Sequence, residues 1–161
     1  NGVIALTCMQ GSHTRKKNEN ARGTFFGINL GTTKADIAQA ILEGICFEMR
    51  DIISMNEELS GKVKTVRLCG GVTKSVKWCQ MFADILNRPI ELTEVPELGC
   101  LGAAMCAGIG SGLYVDCRDA IKKCVRVNKT YLPNEEYVKI YNDVFTNRER
   151  YYKIANEMVY I

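Results

Sequence analysis

Apolar residues along this chain recur at steps of three and four in two long stretches, and elsewhere they gather in short runs. Ala38, Ile41, Leu42, Ile45, Cys46, Met49, Ile52 and Ile53 share one helical face, which predicts a long helix packed on that side. Thr33 opens it: Thr33 and Asp36 have capping-box spacing, with aspartate where glutamate is preferred. Upstream, residues 3–6 read as a strand, 11–22 as a polar loop, and 23–27 return to apolar character. Residues 63–69, Val-Lys-Thr-Val-Arg-Leu-Cys between Gly61 and Gly70, predict a partly or wholly buried strand. Val76, Cys79, Phe82, Ala83 and Leu86 predict a second helix, N-capped by Ser75 and broken at Asn87-Arg88-Pro89. A short strand follows over 90–93, then a glycine- and alanine-rich helix over 98–107 whose small side chains allow close approach to a neighbour. The Gly108-Ile109-Gly110-Ser111-Gly112 run ends that helix instead of following a strand, so it reads as a helix stop and not as a dinucleotide loop. Residues 134–158 predict a terminal amphipathic helix with a face of Tyr137, Ile140, Tyr141, Val144, Phe145 and Tyr152, tyrosines that read as core.

Strand, helix, strand, helix is the order of an α/β fold with parallel pairing. The strands are too few for it: two are clear and one or two more are weak, whereas sheets usually hold about four to six. A sheet this narrow leaves an open edge. The missing strands are therefore expected N-terminal to residue 1 or from a partner chain.

The junction at Leu68-Cys69-Gly70-Gly71-Val72-Thr73-Lys74-Ser75 carries the chemistry. A strand ending in two glycines, followed by a helix N-terminus, brings backbone N–H groups close to a ligand without a Cβ in the way. Lys74 and Lys77 add positive charge at the end of the helix where the dipole disfavours it, at about 0.3–1 kcal/mol each. Such a site suits a nucleotide. By itself the same dipeptide is also an ordinary tight strand-to-helix turn.

Composition narrows the classes. The 161 residues fit one domain, and 47% hydrophobic content is normal for a globular core. A net charge of +3, with Arg15-Lys16-Lys17 as the basic cluster, argues against a nucleic-acid partner. No apolar run is long enough to span a bilayer and no signal peptide is visible, which argues against a membrane partner. The chain begins at Asn1, which suggests a piece of something longer. Its eight cysteines contain no C-x-x-C and mostly fall within apolar runs; with His13 as the single histidine, zinc is improbable. Reduced thiols in a cytoplasmic protein are expected. Glu43 has no second acid or histidine placed to make it a general base, so it reads as a structural carboxylate.

Several motifs, in order and at the right spacing, resemble the later part of the C-terminal domain of the FGGY carbohydrate kinases, most closely the xylulokinase-like members. Ala21-Arg22-Gly23-Thr24-Phe25-Phe26-Gly27-Ile28 resembles A-R-G-x-F-x-G-L, and Ala40-Ile41-Leu42-Glu43-Gly44-Ile45 resembles A-x-L-E-G-I. Gly70-Gly71-Val72, Ser75, Trp78, Gln80 and Ala83-Asp84 resemble G-G-G-x-x-S-x-x-W-x-Q-x-x-A-D, followed by Arg88-Pro89-Ile90 for R-P-V and Leu101-Gly102-Ala103-Ala104 for L-G-A-A. One similarity is set aside. Gly27-Ile28-Asn29-Leu30-Gly31-Thr32-Thr33 looks like the G-I-D-L-G-T-T phosphate loop of actin-like sugar kinases, but Asn29 replaces the aspartate and a helix follows at once.

The resemblance implies an actin-like ATPase (ribonuclease H-like) C-terminal lobe with an incomplete parallel or mixed sheet flanked by helices. It implies ATP and Mg²⁺ bound between two lobes and transfer of the γ-phosphoryl to the hydroxyl of a xylulose-like or gluconate-like sugar. The adenosine site maps onto Gly70, Gly71, Val72 and Ser75. Residues 1–161 would be the later part of the nucleotide-binding domain, with the sugar-binding and catalytic lobe outside the chain. No catalytic residue is assigned, and the chain alone is expected to be inactive. A homodimer is compatible with it. Two departures stand out: Val72 occupies the place of a third glycine, and Gln10-Gly11-Ser12-His13-Thr14-Arg15 replaces a G-E-R-x-P loop. They motivate the alternative of a degenerate, non-catalytic actin-like module used for protein contacts. An actin-like chaperone or cytoskeletal ATPase shares the fold but is not expected to carry the Trp78, Gln80, Ala83-Asp84 pattern.

Overall fold

A computed structural model describes residues 2–12 and 17–157. His13 and Met158, most of the basic cluster and the second half of the Gln10–Arg15 departure lie outside them. The length fits one domain, but the chain divides into two compact units: Asn1–Val63, Asp84–Asn87 and Pro133–Ile161 form one, and Lys64–Ala83 with Arg88–Leu132 form the other.

In the first unit, β1 (Ile4–Leu6) pairs antiparallel with β2 (Thr24–Phe26), Ile4 opposite Phe26 and Leu6 opposite Thr24. Helix α1 (Lys34–Ser60) starts with the expected capping box: Thr33 accepts the Asp36 N–H at 3.3 Å and Asp36 accepts the Thr33 N–H at 2.8 Å. It ends at Gly61, whose φ of 85° suits glycine. The face it buries differs from the predicted one. Ala40, Gly44, Phe47 and Asp51 join Cys46 and Ile53 inside, while Ala38 and Ile45 are exposed. Two of the buried positions are invisible to a hydrophobic pattern. Gly44 faces β1 so closely that a Cβ there would lie 2.8 Å from the Ala5 carbonyl oxygen. Asp51 is buried because Arg148 of α5 (Glu135–Glu157) meets it at 2.8 Å, both side chains 1% exposed.

Helix α5 forms where expected but turns differently. Val138, Arg148, Tyr152 and Ala155 are buried, whereas Tyr137 and Ile140, predicted core, are about half exposed. The buried arginine sets this rotation, because its guanidinium must reach Asp51. Leu6, Cys8, Ala21, Tyr152 and Ala155 form one apolar cluster, with Phe26 packed against it and stacked 4.4 Å from Tyr151. Val3, Ala5 and Ala40 form another, flanked by Phe25, Ile37 and Ile41. Ser12 is buried and its hydroxyl hydrogen-bonds the Tyr152 hydroxyl.

In the second unit, β3 (Val66–Leu68) runs parallel to β4 (Ile90–Thr93), as the element order predicts, and β5 (Val127–Tyr131) pairs antiparallel on the far side of β4. The sheet is thus mixed, in the order β3-β4-β5. Strand β5 has no apolar run to announce it: its Val-Asn-Lys-Thr-Tyr sequence is exposed except at Tyr131. Helix α2 (Val76–Leu86), whose last residues, Asp84–Leu86, belong to the first unit, buries Cys79, Phe82, Ala83 and Leu86; Val76, predicted on that face, is 60% exposed in the first turn. Helix α3 (Leu98–Gly110) outlasts the predicted 98–107 and stops within the glycine run, with Ser111 as C-cap and Gly112 at φ 81°. Gly108 is buried under the Tyr114 ring, which leaves no room for a Cβ. Helix α4 (Cys117–Cys124) also went unread, although Asp116 caps it by accepting the Asp119 N–H at 2.8 Å.

Candidate nucleotide site

The glycine junction lies in the second unit, between β3 and α2. The strand does not pass straight into the helix: Gly70–Lys74 forms a turn of 3₁₀ helix first. Only Gly70 takes a positive φ, 76°. The turn is closed internally, since the Thr73 hydroxyl donates to the Gly70 carbonyl at 2.7 Å and the Ser75 N–H to the Val72 carbonyl at 3.1 Å. Ser75 caps α2 as predicted: its Oγ accepts the Trp78 N–H at 3.3 Å and its carbonyl the Cys79 N–H at 3.0 Å. The Cys79 thiol donates to the Val72 carbonyl at 3.5 Å, and burial pushes that thiol above its ordinary value, opposed by Lys129.

Gly70, Gly71 and Lys74 are exposed, while Val72, Thr73 and Ser75 are half-buried. A Cβ built on Gly71 meets no atom within 4 Å, and its φ is ordinary. Neither backbone conformation nor internal packing therefore requires glycine there. Gly70 has the same open space, but its backbone accounts for it.

Beside the turn is a cavity of about 200 Å³ at the carboxyl ends of the parallel strands β3 and β4, where open α/β sheets place ligands. Cys69, Thr73, Thr93, Glu94 and Asn128 supply its polar atoms. Of the turn, it takes in Thr73 but not Gly70, Gly71, Val72 or Ser75, which lie along the adjoining surface. Glu94 and Asn128 were not read from the sequence. Glu94 directly follows β4, a position that alone could have marked it; Asn128 lies in the unread β5.

The remaining signature residues do structural work. Gln80 donates to the Leu132 carbonyl at 2.8 Å, and the Trp78 ring lies 6.0 Å from Phe82. In the first unit Asp84 is buried and accepts the Asn134 N–H at 2.8 Å. Glu43 accepts hydrogen bonds from Gln39 and Tyr141, so it is the hydrogen-bonded carboxylate expected. Asn29 closes its own turn by accepting the Gly31 N–H at 2.8 Å, and α1 follows immediately. All eight cysteines are free thiols. Among the described residues, no cluster of three or more His, Cys, Asp or Glu could hold a metal ion. Nor is any helix among them long and apolar enough to cross a membrane.

Residues 1–111 match the model of the FGGY family of carbohydrate kinases, C-terminal domain. The xylulose kinase of Staphylococcus epidermidis is 29% identical over 158 residues, covering 98% of this chain and 32% of that protein. The glycerol kinase of Halobacterium salinarum is 36% identical over 133 residues, 82% of this chain and 26% of that one. The crystal structure of ligand-bound xylulose kinase from Lactobacillus acidophilus superposes with a TM-score of 0.87 at 27% identity, over 98% of this chain and 32% of that one. The chain thus spans about a third of the length of these relatives, or less. An α/β fold with the actin-like ATPase lobe of these neighbours, together with the family match over most of its length, assigns this chain to the FGGY family of carbohydrate kinases, C-terminal domain.

Proposed function

We propose that this chain is the nucleotide-binding part of an ATP-dependent carbohydrate kinase, with Gly70, Gly71, Val72 and Ser75 facing the adenosine. The observation that carries this reading is Gly71: a glycine that the fold does not need, on open surface beside a cavity at the strand ends. Close approach of a ligand to the backbone supplies the missing reason. Glu94 gives the site a direction. A carboxylate repels phosphate and accepts hydrogen bonds from ribose hydroxyls or an amino group, so the nucleoside belongs at Glu94 and Asn128 and the phosphates away from them. Val72 leaves the surface partly free, since it is half-buried and its carbonyl serves Ser75 and Cys79.

The described residues offer no metal-holding cluster, so Mg²⁺ would arrive on the phosphates of ATP. The names of the relatives support a sugar or polyol acceptor, with a xylulose-like sugar as the first candidate. Phosphoryl transfer would rest on positioning, with the proton-accepting acid supplied from outside these residues. A cytoplasmic location fits the free thiols. A homodimer would sediment at twice the mass of the chain.

Calorimetric titration of the chain with ADP tests the site. The wild type binds weakly, and Gly71→Val abolishes binding without lowering the melting temperature, because the added side chain meets nothing in the fold. A coupled assay with xylulose and ATP shows no turnover by the chain alone. Equal ADP affinity in the variant overturns the assignment, and no binding by the wild type favours the non-catalytic module.

A further inference from the structure

The first unit contains a second cavity, of about 300 Å³, whose lining does not belong to the nucleotide site. Helix α1 contributes Gln39 and Glu43, and α5 contributes Tyr137, Tyr141, Asn147 and Tyr151. Glu43 is the one charged side chain among the lining residues. Its Oε1 accepts both the Gln39 amide at 2.7 Å and the Tyr141 hydroxyl at 3.2 Å, and among the described residues its Oε2 has no hydrogen-bond partner. Gln39 and Tyr141 thereby fix the carboxylate in place without neutralising it. Tyr151 is likewise held, stacked on Phe26. Burial, then the Glu43 charge and the hydrogen bond to Glu43, then Asp84, push the Tyr141 phenol well above its ordinary range. The Glu43 carboxylate in the lining disfavours an anion. A cation gains twice, from the carboxylate and from the tyrosine rings that line the cavity.

We propose that this cavity binds a small organic cation, an ammonium or quaternary ammonium group seated between the tyrosine rings and the Glu43 carboxylate. The site is independent of the kinase reading and lies apart from the glycine junction in sequence.

Choline is the probe, with 3,3-dimethylbutan-1-ol as its uncharged isostere and xylulose as a neutral sugar, each followed by saturation-transfer NMR on the 161-residue chain. Choline receives saturation, and the isostere binds at least about tenfold more weakly. Glu43→Gln keeps an acceptor for Gln39 and Tyr141 but removes the charge, and weakens choline by about tenfold. Tyr137→Ala, at an exposed ring whose loss leaves the core intact, weakens it about threefold and covers the case in which the Glu43 variant fails to fold. Equal binding of choline and its isostere, unchanged affinity in the folded variants, no saturation of choline at tens of millimolar, or xylulose bound tighter than choline overturns the proposal.

Discussion

Replacing Asp51 with asparagine should cost the first unit a large part of its stability. Asp51 and Arg148 are each 1% exposed and meet at 2.8 Å, which ties α1 to α5 through a buried charge pair. Removing one member of a buried pair typically costs about 3–5 kcal/mol, because the other charge is stranded. Here the stranded guanidinium keeps some support: it lies 5.9 Å from the Phe47 ring and 5.6 Å from Tyr152, with a Glu149 oxygen at 3.9 Å. Ring contacts of this kind return about 0.5–2 kcal/mol, which places the expected loss near 3 kcal/mol. Against a total of about 5–15 kcal/mol, that is a fifth or more of what holds a domain folded. In urea the midpoint should fall by about 1–3 M, followed by circular dichroism at 222 nm. The double replacement Asp51→Leu with Arg148→Met removes both charges and should recover to within about 1 kcal/mol of wild type. A single variant within about 1 kcal/mol of wild type, or a double variant no better than the single, refutes the reasoning.

Gly44→Ala should lower the melting temperature: its Cβ would sit 2.8 Å from the Ala5 carbonyl and 3.1 Å from Thr7 Cγ2, and about 1–3 kcal/mol of overpacking outweighs a helix-propensity gain below about 1 kcal/mol. Ser75→Ala should cost about 1 kcal/mol and speed hydrogen exchange at the Trp78 amide, which loses its cap; unchanged exchange would count against Ser75 as N-cap. With Ellman's reagent, Cys69, Cys100, Cys106 and Cys117 should react at once, and Cys8, Cys46 and Cys79 only in denaturant. Burial raises the Cys8 and Cys79 thiols above 9.0, so the folded state holds protons that the unfolded chain gives up. Their contribution is therefore complete below that value and is lost as pH rises through the folded ones, which a series of alkaline melts would show.

Where local capping, turn and strand chemistry decided the structure, the sequence was a good guide. The Thr33 cap, the Ser75 cap, the parallel β3–β4 pair and the helix stop at Gly108–Gly112 each follow from local chemistry within a few residues. What went unread depends on partners far away. Asp51 and Arg148 are 97 positions apart, so nothing near Asp51 in the sequence marks it as buried. Gly44 is a core residue because it has no side chain, which no hydropathy pattern records. Strand β5 exists because β4 offers it a free edge, and with it came Asn128 of the cavity. The glycine motif itself was legible through its order and spacing, but the cavity beside it belongs to strand ends that only the assembled sheet brings together.

The segmentation of the first unit also bears on the order in which the chain can fold. During synthesis, β1, β2 and α1 emerge long before α5, while the whole of the second unit is made in between. The local contacts of the second unit can form as they appear, but Asp51 and Phe47 must wait for residues near the far end of the sequence. Throughout that interval α1 carries an uncovered charge and an uncovered aromatic ring in its inward stripe. The late arrival of Arg148 makes α5 the step that completes the first unit, and places the risk of misassembly in the time before it.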